Sequence, residues 1–544
     1  MQARSLKPIA FALFLCIAAI AAADDDHDKD HHHHEALTEA QLGTVHFPVS
    51  CADSVQKPFA RGVALLHSFW YEESEKEFVD IVKDDPHCAM AHWGIAMSLW
   101  HELWDNPDQK VLARGRNEAK IGQKLAKHAT PREQAYLAAV SAFYKPKKLK
   151  EADRAKAYSD GMKKVYDSNP DDHEAATFYG LSLIASEPDN DKDFATRKQA
   201  AAILEKVFAA EPDHPGVAHY LIHTYDRPEL AQLGIPAARR YAQIAPAAPH
   251  ALHMPSHIFA RVGLWQDDIT SNIASIDATR KTTAMGMGGE GHQFHAMDFL
   301  VYAYLQTGRE ADAQKVIDEV KAMPPMPKME GMDYDERLSS QVRFEASYVL
   351  ELHDWKEAAS LAPLKDIDPD YNAEIYLARA LGAARSGQND DARKDVDEVK
   401  KIAKAARDKK HNYEADFLER ETNESQAWIS HNEGKDDEAI KMLRAIADKE
   451  KEGFSETGFL PAQELLGDLL LEIKRPQEAL AEYQTALKVN PNRFDSLYGA
   501  AQAAEQAGKQ KEASDYYAQL LKSCEGGRST RAELTRAKQL LAQK

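Results

Sequence analysis

Between Asp213 and Gln266 the chain reads DHPGVAHYLIHTYDRPELAQLGIPAARRYAQIAPAAPHALHMPSHIFARVGLWQ, a run rich in side chains that bind metal ions. His219 and His223 are four apart in a segment of helical pattern, so their imidazoles share one face. His250, His253 and His257 follow at spacings of three and four on a second stripe, and Asp226 lies one turn beyond His223. His219 to His253 is 34 residues, and so is His223 to His257. Neutral imidazole suits Zn, Cu, Ni and Fe, and histidines at i and i+4 can chelate one ion. Packed helices lie ~8–10 Å apart, so the two pairs could share an ion or hold two close together. Such ligands must be unprotonated, so an ordinary site would empty as pH falls through ~6.5. The pattern is not that of a zinc protease. Tyr220, Leu221 and Ile222 separate one pair, and Met254, Pro255 and Ser256 the other, with no glutamate to serve as a base. The sequence has no glycine-rich phosphate loop and no nucleophile elbow. Any catalysis would therefore run through a metal.

Helices must carry these residues. From Phe59 onward apolar residues recur at helical spacing, prolines punctuate the units, and strand-like alternation is lacking. The stretch QELLGDLLLEIKRPQEALAEYQTALKVNP carries Leu466, Gly467, Ala479, Tyr483, Ala486 and Pro491, and Ala513 lies 34 residues after Ala479. With the histidine register, this resembles the tetratricopeptide repeat, a helix-turn-helix unit that stacks into a solenoid. The resemblance implies an all-α, TPR-like superhelical array of antiparallel hairpins. It also places His219 and His223 at repeat positions 5 and 9, and His250, His253 and His257 at positions 2, 5 and 9, lining a concave groove. Gly308 and Ala313 match the turn glycine and small packing residue of the next unit, which puts His295 at position 2. His250 and His295 would then complete a nitrogen-rich shell for Cu or Zn, with Asp226 and Asp298 behind it. A polar groove of this kind could instead hold a peptide or protein partner without metal or catalysis, and a purely structural role also stays open. ALLHSFWYEE, HYLIHTYD, HALHMPSHIFARVG and VNPNRFDSLYGAA are similar to a group of exported bacterial tetratricopeptide-repeat proteins, over most of residues 45–540. That group implies no particular activity; the repeat class implies a protein-binding scaffold.

At 544 residues the chain exceeds one core, so a repeat array or several domains is expected. Residues 1–23 pair Arg4 and Lys7 with an apolar run and end in Ala21-Ala22-Ala23, the pattern of a signal peptide for periplasmic or secreted proteins. No later run is long enough to span a membrane. Removing Arg4 and Lys7 leaves 66 basic against 87 acidic residues, a formal charge of −21 that opposes a nucleic-acid partner. Residues 24–40, with DDDHDKDHHHH, form an acidic, histidine-rich tail expected to be disordered. A histidine-lined array is expected over 41–322 and a second array over 337–544. A linker at 323–336 carries Met323, Met326, Met329 and Met332, whose thioethers either pack irregularly or hold Cu(I). In an oxidising compartment Cys51 and Cys88, at the ends of one hairpin, would form a bridge worth roughly 4 kcal/mol; otherwise they are two buried thiols. Cys524 is left as an odd thiol.

Overall fold

Caps, prolines and glycines divide the chain into helices that pack against their neighbours in sequence as hairpins. The computed structural model describes residues 37–542 apart from 104–106, 146–148, 189, 192, 288–289, 326–334, 366, 368 and 451–459. Among the described residues regular structure is helical throughout, and no helix is long and apolar enough to cross a membrane. The expected signal peptide, most of the tail, and Met326, Met329 and Met332 lie outside the described residues. The tail stops earlier than residue 40: Glu39–Leu42 is a short helix whose Leu42 is buried. Apolar contact is strong enough there to order a polar segment.

Local chemistry explains the breaks. Helix Pro131–Phe143 starts with Pro131 in its first turn, and Thr130 and Glu133 cap each other reciprocally. Small residues set the distance between helices. A Cβ on Gly467 or Gly499 would come within 2.8 and 2.3 Å of the Tyr483 ring, which is sealed between their helices. Cys51 and Cys88 are bonded, with Cα atoms 4.9 Å apart, and tie the entering chain to the start of helix Ala89–Ser98. Cys524 is buried, which pushes its thiol up to about 12.

The array is not an open stack, because both ends return to its middle. Helix Gln56–His67 packs on helix Pro215–Tyr225, and Trp70 Nε1 donates to the Met287 carbonyl at 3.2 Å. From the other end, Trp265 Nε1 donates to the Asn492 carbonyl at 2.9 Å, and Asn492 Nδ2 donates to the Gly263 carbonyl at 3.0 Å. Gly263 has φ +67°, and a Cβ there would lie 2.1 Å from the Pro491 carbonyl oxygen, so only glycine fits. Arg493 is the lock of this junction. Fully buried, it meets Glu464 and Glu351 at 2.9 Å each and donates to the Tyr302 hydroxyl at 2.9 Å. The last units look purely architectural in sequence, yet they carry this internal ion network.

Removing one partner of a buried, hydrogen-bonded ion network leaves uncompensated charge and costs about 3–5 kcal/mol. Arg493→Met should therefore lower the urea midpoint far more than Lys511→Met, whose exposed pair with Asp515 is worth under about 1 kcal/mol. Equal shifts in the two variants would show that the junction does not stabilise the array.

Candidate metal centre

Three neighbouring helical segments present the histidines. Pro215–Tyr225 carries His219 and His223; Pro249–His253, continuing as Pro255–Val262, carries His250, His253 and His257; Glu290–Gln306 carries His295. Pro215 and Pro249 each open a helix, so the two segments start in the same register. The expected open groove is largely closed at these residues, with only His223 and His295 half-buried. His219 is 0% exposed, His253 1%, His250 4% and His257 8%. The turn after helix Gln56–His67 covers them: Phe69, at φ +53°, lays its ring across His219, His223 and His250 at centroid distances of 4.3, 5.6 and 5.6 Å. Phe299 does the same for His253, His257 and His295 at 5.0, 4.8 and 5.2 Å.

The imidazoles form two triads. His219 Nε2 lies 3.0 Å from both His223 Nε2 and His250 Nε2. His257 Nε2 lies 3.1 Å from His253 Nε2 and 3.3 Å from His295 Nε2. The two in-register pairs therefore do not merge into one site as their spacing suggests. His250, one turn earlier on its helix than His253, reaches back to the preceding helix, and His295 joins the later pair from the following one.

The outer ring nitrogens decide what these contacts are. His219 Nδ1 donates to the His67 carbonyl at 2.6 Å, so its Nε2 carries the lone pair. Two further nitrogens converge on that single lone pair. Asn272 Nδ2 donates to Asp268, which leaves Asn272 Oδ1 to accept from His253 Nδ1 at 2.7 Å. His257 Nδ1 donates to Asp226 Oδ2 at 3.2 Å. The His253 and His257 Nε2 lone pairs then face each other at 3.1 Å, a repulsive arrangement unless a cation lies between them. Two nitrogens bound to one ion at ~2.0–2.1 Å in tetrahedral geometry are separated by roughly 3.3 Å. The buried trio His67–Glu174–His214 gives the opposite result. Both rings donate Nε2–H to the Glu174 carboxylate at 2.8 and 2.9 Å, while His67 Nδ1 faces the Tyr220 hydroxyl and His214 Nδ1 accepts from Val217 N, so hydrogen bonds satisfy it.

Burial, with the neighbouring imidazoles next, holds His219, His250, His253 and His295 well below the ordinary imidazole range. His223 is lowered to about 3, again mainly by burial. These five imidazoles thus favour the neutral form well below the ordinary imidazole range. Asp226 sits behind His257, and Arg261 Nε holds its other oxygen at 3.0 Å. Asp298 is placed by Arg343 Nε at 2.9 Å, which also reaches Glu374. Sequence reasoning missed Asn272, the His67 carbonyl and the two phenylalanines. None carries a local signal: His67 and Phe69 arrive from some 150 residues upstream, and Asn272 lies mid-helix.

Residues 464–528 match the family described as Tetratricopeptide repeat. None of the curated proteins matches the chain. Among solved structures, human IFIT1 in a dimer with m7Gppp-AAAA is 13% identical over 84% of this chain and 94% of that one, with a TM-score of 0.33. Yeast Tom70 is 12% identical over 90% of this chain and 96% of that one, with a TM-score of 0.31. Residues 464–528 thus match the tetratricopeptide repeat, and the described residues as a whole form an all-α helical-repeat array.

Proposed function

We propose that this protein binds transition metal ions, Cu or Zn, as an exported carrier or metal-dependent enzyme, with one ion in each histidine triad. The observation that carries this reading is the 3.1 Å approach of the His253 and His257 Nε2 atoms while both Nδ1 atoms face acceptors. Backbone and carboxylate acceptors behind the rings fix the tautomer and orientation that metal-bound histidines adopt. Three nitrogens per ion leave a position for a water or substrate, as in catalytic rather than structural sites. The repeat class also suggests a scaffold role, and the array surface away from the triads could take a protein partner. The buried triads themselves are a poor peptide groove, since the rings are already covered by Phe69 and Phe299.

The stoichiometry tests this directly. Full chain with His27 and His31–His34 replaced by Ser, so that the tail binds nothing, should retain two equivalents of Zn or Cu in elemental analysis. His219→Ala and His257→Ala should each retain one, and the double variant none, with unchanged helical circular dichroism. Asp226→Asn should weaken the second triad alone by about 10–100-fold. A parent chain that keeps no metal after dialysis would refute the reading.

The pH dependence of the metal-free protein follows from burial. A neutral imidazole whose folded pKa is depressed stabilises the fold fully above the unfolded value of ~6.5, and that contribution is lost as pH falls through the folded value. With His223 lowered to about 3, the loss should span roughly pH 6.5 down to 3. The urea midpoint of metal-free protein should fall between pH 7.5 and pH 5, and His223→Gln should flatten that fall. An unchanged slope in the variant would contradict the assignment.

A further inference from the structure

We infer that the two triads form one coupled centre that holds a pair of Cu(I) ions and binds dioxygen between them. This rests on the metal-binding reading above and goes beyond it in naming the metal, the nuclearity and the ligand.

Adjacency is the first argument. His250 of one triad and His253 of the other are three apart on one helical segment, with ring centroids 6.4 Å apart. The two sets therefore adjoin on one helical segment rather than standing as isolated stations along a solenoid. Each triad has its own phenylalanine wall, Phe69 for one and Phe299 for the other, both buried.

Charge selects the metal. The donor set consists of six neutral imidazoles, and the nearby Asp226 carboxylate is already paired with Arg261. Two divalent ions would place four positive charges in a buried pocket without anionic ligands, whereas two Cu(I) ions place two. Burying uncompensated charge is expensive, so the neutral shell favours the monovalent pair. Imidazole is a suitable ligand for copper, and three donors satisfy it.

Charge also selects the ligand. When dioxygen binds between two Cu(I) ions, each copper gives up one electron and becomes Cu(II). The oxygen molecule takes both electrons, its O–O bond order falls from two to one, and new Cu–O bonds form. No proton and no external reductant enter, and the total charge of the pocket remains two. A small apolar molecule suits a site whose buried walls are phenyl rings, and a reaction that leaves net charge unchanged suits a site poorly able to solvate more.

The test uses the full chain with its tail histidines replaced by Ser, loaded anaerobically with Cu(I) and then exposed to dioxygen. Expected are two coppers per chain, one dioxygen taken up per two coppers, and no Cu(II) electron paramagnetic resonance signal after that uptake, although both coppers are then Cu(II), because the two spins pair. His257→Ala, checked for its helical spectrum, should keep one copper, take up no dioxygen in that ratio, and give a full Cu(II) signal after oxidation by ferricyanide. Two coppers that oxidise to a full, unpaired signal would overturn the coupled centre while leaving metal binding intact. Silent copper in His257→Ala would overturn it as well. A parent chain that retains no copper and no zinc would instead remove the metal-binding reading on which this one rests.

Discussion

The hydrogen bond from His219 Nδ1 to the His67 carbonyl, 2.6 Å long and wholly buried, joins residues 152 apart. Its geometry requires the first hairpin to lie against helix Pro215–Tyr225, and so requires the array to curl. It also requires the turn at Phe69 to adopt a left-handed backbone, an uncommon state for a bulky residue. That strain is held by the packing around it. His67 is fixed by Glu174 and Tyr220, and Phe69 is buried against three imidazoles. One contact thus sets the tautomer of the central imidazole of the first triad, brings Phe69 over it and fastens the N-terminal end of the solenoid.

The C-terminal end is fastened by different chemistry. Apolar stacking between repeats has no strong preference for one closing geometry, whereas the Arg493 network does. Its guanidinium must meet Glu351 and Glu464 together, and the chain beside it must pass within contact of Gly263. Burial pushes Glu351 up to about 7 even with Arg493 beside it, which shows how dry the junction is. Gly263 also ends the segment that carries His253 and His257. The last repeats therefore hold the helix that positions half of the candidate centre, though none of their own side chains touches an imidazole among the contacts above.

Much of this was legible in sequence because it is local. Helical periodicity, the prolines at 215 and 249, the repeat signature around Tyr483 and the identity of all six histidines are statements about residues close in the chain. The Cys51–Cys88 pairing was readable too, since both residues bound one hairpin. The partition of the histidines into two threes was not readable. It depends on which way each ring leans between helices, and spacing fixes only which stripe a residue occupies. The open groove was likewise inferred from the repeat class, which cannot foresee that an unrelated turn would fill it with Phe69. Asp298 satisfied the pattern for an orienting carboxylate, yet the competing guanidinium of Arg343 came from 45 residues away.

An array of helical hairpins has no need to gather six imidazoles, four buried and two half-buried, whose nitrogens converge. In the empty protein the arrangement costs free energy twice, through desolvated rings and through nitrogens that face one another. Apolar stacking along the solenoid must offset that cost, with the N-terminal turn at Phe69 folded over one triad and the C-terminal repeats fastened beside the segment that carries the other. An ion bound to the folded form alone returns stability in proportion to the logarithm of its concentration over Kd. If the triads hold metal as proposed, the cost is preorganisation: the rings stand at ligand spacing before an ion arrives, so binding would order little and the protein would impose the three-nitrogen geometry. A rigid shell with a position left open is what separates a centre able to act on a further ligand from one that only stores an ion.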